Sequence, residues 1–286
     1  MRLLTFELDG ERRVGARAGE AIVDLNRADS SIPADMRGLL EGGEAVLEAA
    51  RGAVERGESA IAAGDVKVMA PIDDPEKVIC IGLNYADHAA ETNAEIPPEP
   101  VVFSKFASAI IGPGEAVEIP PTSSKVDHEV ELVAVIGRGG RNIAEAEGLG
   151  HVAGYTVGHD VSARDYQLEK AGGQWLSGKT FDTFAPIGPE IVTPDELSNP
   201  HNLGIRCIVN GETRQESNTD QLVFGVGQLV AYLSHMFTLR PGDLIFTGTP
   251  GGVGLGREPQ VWLRAGDRVV CEIDEIGRLE SPFVAG

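Results

Sequence analysis

Residues 125–139 read KVDHEVELVAVIGRG, an apolar run that predicts a buried β-strand with two carboxylates inside it. Glu129 and Glu131 are two positions apart, so in a strand both side chains point to the same face. Val133 and Val135 continue that face and indicate that it is buried. A buried carboxylate without a partner costs more free energy than neighbouring apolar contacts return, so a compensating group is expected. A solvated strand face is the alternative, but it does not explain the two valines.

A third acid follows later in the chain. Asp160 ends the predicted strand GYTVGHD, at the point where the chain leaves the sheet. Three carboxylates, without a thiolate or a closely spaced histidine pair, favour Mg²⁺, Mn²⁺ or Ca²⁺ over zinc. The pattern therefore raises the hypothesis of a hard-metal site formed by Glu129, Glu131 and Asp160.

The bulk composition limits the partners and the location of the protein. The 286 residues carry a formal net charge of -20, which argues against nucleic acid or anionic membrane as a partner, because both require a basic face. No run of 18 apolar residues and no signal-peptide pattern occurs. The three cysteines are scattered in apolar runs, as reduced core residues are. We expect a cytoplasmic protein without a membrane or nucleic-acid partner.

The chain shows two kinds of pattern, one before and one after about residue 70. The first begins with a strand, an Asp9-Gly10 turn and a second strand, followed by a helical stretch over residues 36–54 that Gly42 and Gly43 interrupt. The second has many short β-rich runs. We predict a small N-terminal α+β domain at residues 1–70 and a catalytic domain at residues 71–286.

The β-rich part contains one strong helical pattern, SNTDQLVFGVGQLVAYLSHMF over residues 217–237, with Asn218 or Thr219 as the expected N-cap. Strands this numerous without regularly alternating helices favour a sandwich or a rolled sheet over a βαβ fold. The predicted fold class is therefore α+β and β-rich, with a rolled mixed β-sheet.

A second group of candidate residues lies in IGLNYADHAAET, residues 81–92. His88 and Glu91 are three positions apart, so on one helical turn the carboxylate can orient the imidazole for proton transfer. A contact at the protein surface is the alternative. The Pro-rich stretch NAEIPPEP, residues 93–100, is typical of a loop able to close over a site.

Two further stretches contain candidate polar groups. Lys179 lies in GGQWLSGKTFDTFAPIGP, where burial or a nearby charge could tune it, although a solvated lysine is the ordinary interpretation. LIFTGTPGGVGLG, residues 244–256, is a strand followed by a glycine loop. It lacks the Lys-Ser or Lys-Thr pair and the following helix of a phosphate site, but Thr247 and Thr249 could bind a small carboxylate.

Taken together, these motifs resemble the fumarylacetoacetate hydrolase family, in its short bacterial branch. The resemblance covers about residues 77–286, and it is carried by GLNYADHAAE, DHEVELVAVIGRGGRNI, GYTVGHDVSARDYQ, GKTFDTFAPIGP, VNGETRQESNT and LRPGDLIFTGTPGGVG. It implies a β-rich rolled catalytic domain and a homodimer. It also implies that Glu129, Glu131 and Asp160 are the ligands of Mg²⁺ or Mn²⁺, with Ca²⁺ as a further candidate.

The same resemblance implies roles for other residues. His88 and Glu91 match a catalytic dyad in a lid, and Lys179 matches an active-site lysine. Four positions match substrate-contacting or pocket residues of the family: Tyr85, Arg164, Gln167 and Thr249.

The implied activity is Mg²⁺-dependent hydrolysis of a C–C bond in a 2,4-dioxo acid, such as an acylpyruvate, a fumarylpyruvate or a 2,4-diketo-3-deoxy sugar acid. The products would be pyruvate and a carboxylic acid, as in carbohydrate or aromatic catabolism. His88 and Glu91 would activate water, and Lys179 would stabilise developing negative charge. The alternatives are oxaloacetate decarboxylation and isomerisation of a hydroxymuconate-type or 2-hydroxyhepta-2,4-diene-1,7-dioate substrate. A third hypothesis is a metal-dependent binding protein without activity.

Overall fold

The computed structural model describes residues 1–92, 95–170 and 172–286. In this part of the chain the strands, in order, are β1 (Arg2–Leu8), β2 (Glu11–Ala18), β3 (Ala21–Asp24), β4 (Ala60–Ala62), β5 (Lys67–Val68), β6 (Val78–Gly82), β7 (Val101–Lys105), β8 (Ile110–Ile111), β9 (Val117–Ile119), β10 (Val126–Asp127), β11 (Val130–Ile136), β12 (Val152–His159), β13 (Ser162–Ala163), β14 (Ala185–Val192), β15 (Gly204–Val209), β16 (Glu212–Asn218), β17 (Leu244–Phe246), β18 (Arg268–Ile273) and β19 (Gly277–Ala285).

Helices are fewer and mostly short. They are α1 (Leu25–Ala28), α2 (Met36–Glu41), α3 (Gly43–Arg56), α4 (Ala86–Thr92), α5 (Glu145–Gly148), α6 (Leu176–Lys179) and α7 (Val226–Met236), with a π-helical turn at Asp165–Lys170. None of the helices in the described residues is long and apolar enough to cross a membrane.

The strands form mixed sheets, as the sequence predicts for an α+β, β-rich chain. The large sheet has the order β4-β3-β2-β1-β14-β12-β11-β17-β6-β7, with β5 beside β1 and β8 beside β14. A second sheet has the order β16-β15-β18-β19-β9, and β10 pairs with β13. Most neighbours are antiparallel, but β17 runs parallel to β6, β8 to β14, and β9 to β19.

Strand β11 lies near the middle of the large sheet and is buried on both faces. On one face Val130, Leu132 and Ala134 belong to a hydrophobic cluster that includes α7 and the second sheet. On the other face Val133 and Val135 pack in a cluster with α2, α3 and β14. This two-sided burial explains the apolar run and confirms that the face continuing from Glu131 is covered.

Local turn chemistry determines several of these elements. The predicted hairpin forms, with Asp9 at φ 53° and Gly10 at φ 80°, as a tight hairpin turn requires. The predicted helix over residues 36–54 divides between α2 and α3 at Gly43, whose φ of 62° a side chain would disfavour.

The predicted start of the long helix is wrong. Asn218 caps only a short 3₁₀ turn, Thr219–Gln221. Helix α7 begins at Val226, seven residues after the start of that turn. Gly225 at the N-cap position offers no side-chain hydrogen bond. His201 supplies one instead, because its Nε2 accepts from the Val226 N–H at 3.0 Å.

The N-terminal segment continues into the large sheet. Strand β1 pairs with β14, with Arg2 opposite Val192 and Leu3 opposite Ile191. A domain boundary near residue 70 stays a prediction.

Candidate active site

Antiparallel pairing of β11 with β12 brings the three predicted metal ligands together. Val130 lies opposite His159, so the start of β11 meets the end of β12. Glu129 immediately precedes β11, Glu131 lies within it, and Asp160 immediately follows β12. All three side chains are buried, and one carboxylate oxygen from each lies within 4.8 Å of the others.

Three cationic side chains surround two of these carboxylates. Lys179 Nζ donates to Glu129 Oε2 and to Asp160 Oδ2, both at 2.8 Å. Lys105 Nζ lies 2.7 Å from Asp160 Oδ1, and an Arg164 terminal nitrogen lies 2.7 Å from Glu129 Oε1. Burial opposes ionisation of Glu129, but Lys179 and Arg164 outweigh it and lower its pKa to about 2. Burial also disfavours the charged form of Lys179, yet Asp160 and Glu129 raise its pKa, so it carries a charge at neutral pH.

Glu131 has different electrostatic surroundings from Glu129 and Asp160. In residues 1–92, 95–170 and 172–286 it has no ion pair, and its Oε2 accepts a hydrogen bond from the Gly248 N–H at 2.8 Å. Burial, followed by the charges of Asp160 and Glu129, raises the pKa of Glu131 well above its ordinary value. A buried carboxylate with only this support, beside two others, fits a site that holds a divalent cation. The donor set therefore fits Mg²⁺ or Mn²⁺.

Glu129, Glu131 and Lys179 line the floor of a cavity of about 230 Å³, whereas Asp160 is not among its lining residues. Its polar lining includes five of the predicted site residues besides Glu129 and Glu131: His88, Arg164, Gln167, Lys179 and Thr249. The remaining wall is largely apolar and contains Ile81, Leu83, Phe103, Leu168, Trp175 and Leu255. An apolar cavity with a few convergent polar groups is the usual form of a small-molecule site.

The predicted dyad is close to the glycine loop. His88 and Glu91 lie on α4, with His88 Nδ1 3.6 Å from Glu91 Oε2. The same Glu91 oxygen accepts a hydrogen bond from the Gly252 N–H at 2.9 Å, so the loop fixes the carboxylate beside the imidazole. Asn93 and Ala94, the first residues of the predicted lid loop, lie outside the described residues.

Arg164 and Gln167 lie side by side on the cavity wall. The guanidinium donates to Gln167 Oε1 at 2.9 Å and to Asp127 Oδ2 at 2.8 Å. Asp127 also accepts from the Gly254 N–H at 2.6 Å, so it ties Arg164 to the glycine loop. The sequence reasoning missed Asp127, although its position two residues before Glu129 places it in the same alternating series.

Lys105 was also missed. Its side chain is fully buried and donates to the backbone carbonyls of Val161, Phe184 and Lys179. It therefore joins Asp160 to the segment that carries Lys179. A lysine within the apolar strand pattern VVFSKF was the available signal.

Two of the predicted substrate contacts, Tyr85 and Thr249, are engaged differently from the others. Tyr85 is completely buried and is not among the cavity-lining residues, and its role stays a prediction. Thr249 lines the cavity, but its hydroxyl donates to the Val130 carbonyl at 2.9 Å.

A mixed sheet that presents a buried acidic cluster at the floor of an apolar cavity is typical of an enzyme that uses a divalent metal ion. The chain belongs to the fumarylacetoacetate hydrolase family, since the family profile "Fumarylacetoacetate (FAA) hydrolase C-terminal" matches residues 77–284. This match confirms the predicted family.

Individual relatives carry several names. A protein of Xenopus laevis called "Oxaloacetate tautomerase fahd2, mitochondrial" is 51% identical over 288 residues, which cover 99% of this chain and 90% of the relative. The structure of a fumarylacetoacetate hydrolase from Exiguobacterium antarcticum is 34% identical, with a TM-score of 0.87 and complete coverage of both chains. The structure of a maleylpyruvate hydrolase from Sphingobium sp. SYK-6, in complex with manganese(II) and pyruvate, is 32% identical, with a TM-score of 0.83 and complete coverage of both. These structures confirm the predicted fold class.

Proposed function

We propose that the protein is a divalent-metal-dependent enzyme that interconverts the enol and keto forms of oxaloacetate or a closely related 2-oxo acid. The observation that carries the proposal is the cavity floor, where Glu131 lacks a cationic partner in the described chain and the charged Lys179 lies beside Glu129 and Asp160. The name of the Xenopus laevis relative, at 51% identity over nearly the whole chain, supports this reaction over C–C hydrolysis.

The residues present suit the chemistry of such a substrate. Glu129, Glu131 and Asp160 would hold Mg²⁺ or Mn²⁺, which when bound supplies Lewis-acid stabilisation of negative charge on the substrate oxygens. Lys179 would stabilise that charge from a second side, because its ammonium group is buried and charged. Charged and polar groups in a water-poor cavity are already oriented, so they lose little energy to reorganisation.

Tautomerisation requires one proton to move between C3 and the oxygen on C2, and it breaks no carbon–carbon bond. His88 lines the cavity, and an imidazole can both accept and donate a proton. We assign it both halves of the transfer: in ketonisation the imidazole would accept the enol proton from the C2 oxygen and deliver a proton to C3, with Glu91 orienting the ring from 3.6 Å. Arg164 and Gln167 would bind the distal carboxylate of the substrate.

Hydrolysis of a 2,4-dioxo acid is the second candidate. It is favoured by the His88–Glu91 pair, which is also suited to activating water. Decarboxylation of oxaloacetate needs no attacking water, but the pyruvate enolate that it leaves must be protonated at C3, so His88 alone does not separate this reaction from tautomerisation.

Product identity tests these candidates. Enol oxaloacetate is mixed with the protein and Mg²⁺ or Mn²⁺, its ultraviolet absorbance is followed, and pyruvate is measured in the same samples. We expect rapid loss of the enol without matching release of pyruvate, and loss of this activity in excess EDTA. Stoichiometric pyruvate from oxaloacetate would identify a decarboxylase, and pyruvate from an acylpyruvate would identify a hydrolase. Full turnover in EDTA would contradict the metal assignment.

We also propose a homodimer and a cytoplasmic location. Light scattering on the purified protein tests the first, and cell fractionation tests the second. The fractionation matters because the name of the Xenopus laevis relative includes the word mitochondrial.

A further inference from the structure

Strand β11 loses one of its two neighbours where it carries the acidic ligands. Strand β12 accompanies it throughout, but β17 pairs only with residues 133–135. The next hydrogen bond of that ladder runs from the Thr247 N–H to Leu132 O, at 3.1 Å. Continuing the same register would place Thr249 opposite Val130 as a hydrogen-bonded pair. The chain instead turns at Gly248, φ 105°, whose N–H donates to the Glu131 carboxylate.

The backbone of Val130 consequently needs other partners. In the ladder with β12 the Asp160 N–H donates to Glu129 O at 2.9 Å, so the next residue, Val130, directs its N–H and C=O away from β12. Both groups are buried, and leaving them unpaired would be costly. Gln215 Oε1 accepts from the Val130 N–H at 3.0 Å, and Thr249 Oγ1 donates to Val130 O at 2.9 Å. Two side chains thus replace the missing strand.

The Gln215 amide also orients the Thr249 hydroxyl. Its Nε2 donates to Thr249 Oγ1 and to Pro250 O, both at 2.8 Å. Because Thr249 Oγ1 accepts this bond, its single proton is available for Val130 O. Gln215 is completely buried and comes from β16, in the second sheet. It therefore connects that sheet to the residue between two acidic ligands.

We infer that Gln215 is a positioning residue that fixes the segment Glu129–Glu131 and thereby sets the affinity of the site for a divalent cation. The inference rests on the metal assignment in the proposed function and not on the identity of the substrate. It also gives a role to VNGETRQESNT, a motif to which no site residue had been assigned.

The primary test is Gln215→Met, which keeps the length of the side chain and removes its hydrogen bonds. Binding of Mn²⁺ is measured without substrate, from the electron paramagnetic resonance signal of the free ion. Loss of groups that orient metal ligands typically weakens binding about 10–100-fold, so we expect the Kd to rise roughly tenfold or more. A Kd within twofold of the wild-type value, in a folded variant, would overturn the inference.

A matched control separates positioning from general loss of stability. Thr219 is also buried beside the second sheet, and its hydroxyl accepts from the Leu203 N–H at 2.9 Å. Thr219→Val removes this bond far along the chain from the ligands. We expect its Mn²⁺ Kd to stay within twofold of wild type, even if its melting temperature falls as much as that of Gln215→Met. Equal weakening by both variants would contradict a positioning role.

Gln215→Glu serves if the methionine variant does not fold. It keeps an acceptor for the Val130 N–H but, in either protonation state, lacks at least one of the two donors to Thr249 and Pro250. A negative charge added near the site would by itself attract a cation. Weaker Mn²⁺ binding therefore supports the inference, and unchanged or tighter binding refutes it.

Different experimental results would refute the proposed reaction and the proposed role of Gln215. A wild-type protein that binds Mn²⁺ but does not convert enol oxaloacetate would refute the proposed reaction and leave the role of Gln215 standing. Normal Mn²⁺ binding by Gln215→Met in an active enzyme would refute only the role of Gln215.

Discussion

Of the three predicted metal ligands, Glu131 has no cationic partner in the described chain, and its neighbours Glu129 and Asp160 are themselves carboxylates. Glu131→Gln keeps the shape and removes a carboxyl group whose ionisation is disfavoured by burial and by Asp160 and Glu129, so the metal-free variant should be at least as stable as wild type. Each kcal/mol of relieved repulsion would raise the melting temperature by about 2–4 °C. The Mn²⁺ Kd should rise roughly tenfold or more, because the charge of the ligands sets affinity for hard cations.

Calorimetry of Glu131→Gln measures the expected gain in stability, and Mn²⁺ titration of the same preparation measures the expected loss of affinity. Glu190→Gln is the control. Glu190, on β14, is also buried, but it pairs with Arg2 on β1 and Arg17 on β2. It should lower stability and leave Mn²⁺ binding unchanged. Tight Mn²⁺ binding by Glu131→Gln would show that Glu131 is not a ligand.

The residues of the site could be predicted from the sequence to different degrees. The acidic cluster could be predicted because strand alternation is a local pattern that places Glu129 and Glu131 on one face. Lys105 and Gln215 were not predicted, because their partners come from distant segments: Asp160 for Lys105, and Val130 for Gln215. The apolar pattern VVFSKF marks Lys105 as unusual, but a single sequence contains no local signal for the distant partners of either residue.

The helices and strands also divide into those that local sequence patterns predict and those that depend on distant contacts. The Asp9-Gly10 hairpin and the break at Gly43 follow from backbone conformations that those residues favour, and both were predicted. The start of α7 was not, because its first N–H group is bound by His201, 25 residues earlier in the chain. Local rules place a cap within the adjacent residues, where Asn218 is a good candidate but serves a different turn.

The cap on α7 predicts a dependence of stability on pH. Burial lowers the pKa of His201 below its ordinary value of 6.5, and its Nε2 must stay unprotonated to accept from Val226. The unfolded chain binds the proton more readily, so the stabilisation is complete above pH 6.5 and is lost as the pH falls. His201→Ala should cost about 1 kcal/mol at pH 8, and this difference should shrink below about pH 6.

Urea denaturation of both proteins across this pH range measures the effect of the cap. His235→Ala, an exposed position in the last turn of the same helix, is the control and should not reproduce the shrinking difference. A difference between wild type and His201→Ala that is constant with pH would show that His201 acts through packing alone.

At the scale of the whole molecule, the N-terminal 70 residues share their core with the rest of the chain. Leu3, Val23 and Leu39 belong to the same hydrophobic cluster as Val133 and Ile187. The cluster covers the face of β11 that continues from Glu131, so the N-terminal helices also support the floor of the cavity. This shared core determines how a truncated protein should behave.

Residues 71–286 alone should not form a stable catalytic unit, although the family profile begins only at residue 77. Removing β1 would expose the edge of β14, and removing α2 and α3 would uncover apolar side chains under β11. We expect the fragment to aggregate or to melt roughly 10 °C or more below the full chain, which should itself unfold in one transition. Co-expression with residues 1–70 should restore stability and Mn²⁺ binding, because the two pieces can rebuild the shared cluster. A fragment that unfolds cooperatively at the full-length temperature would instead identify residues 1–70 as a separate domain.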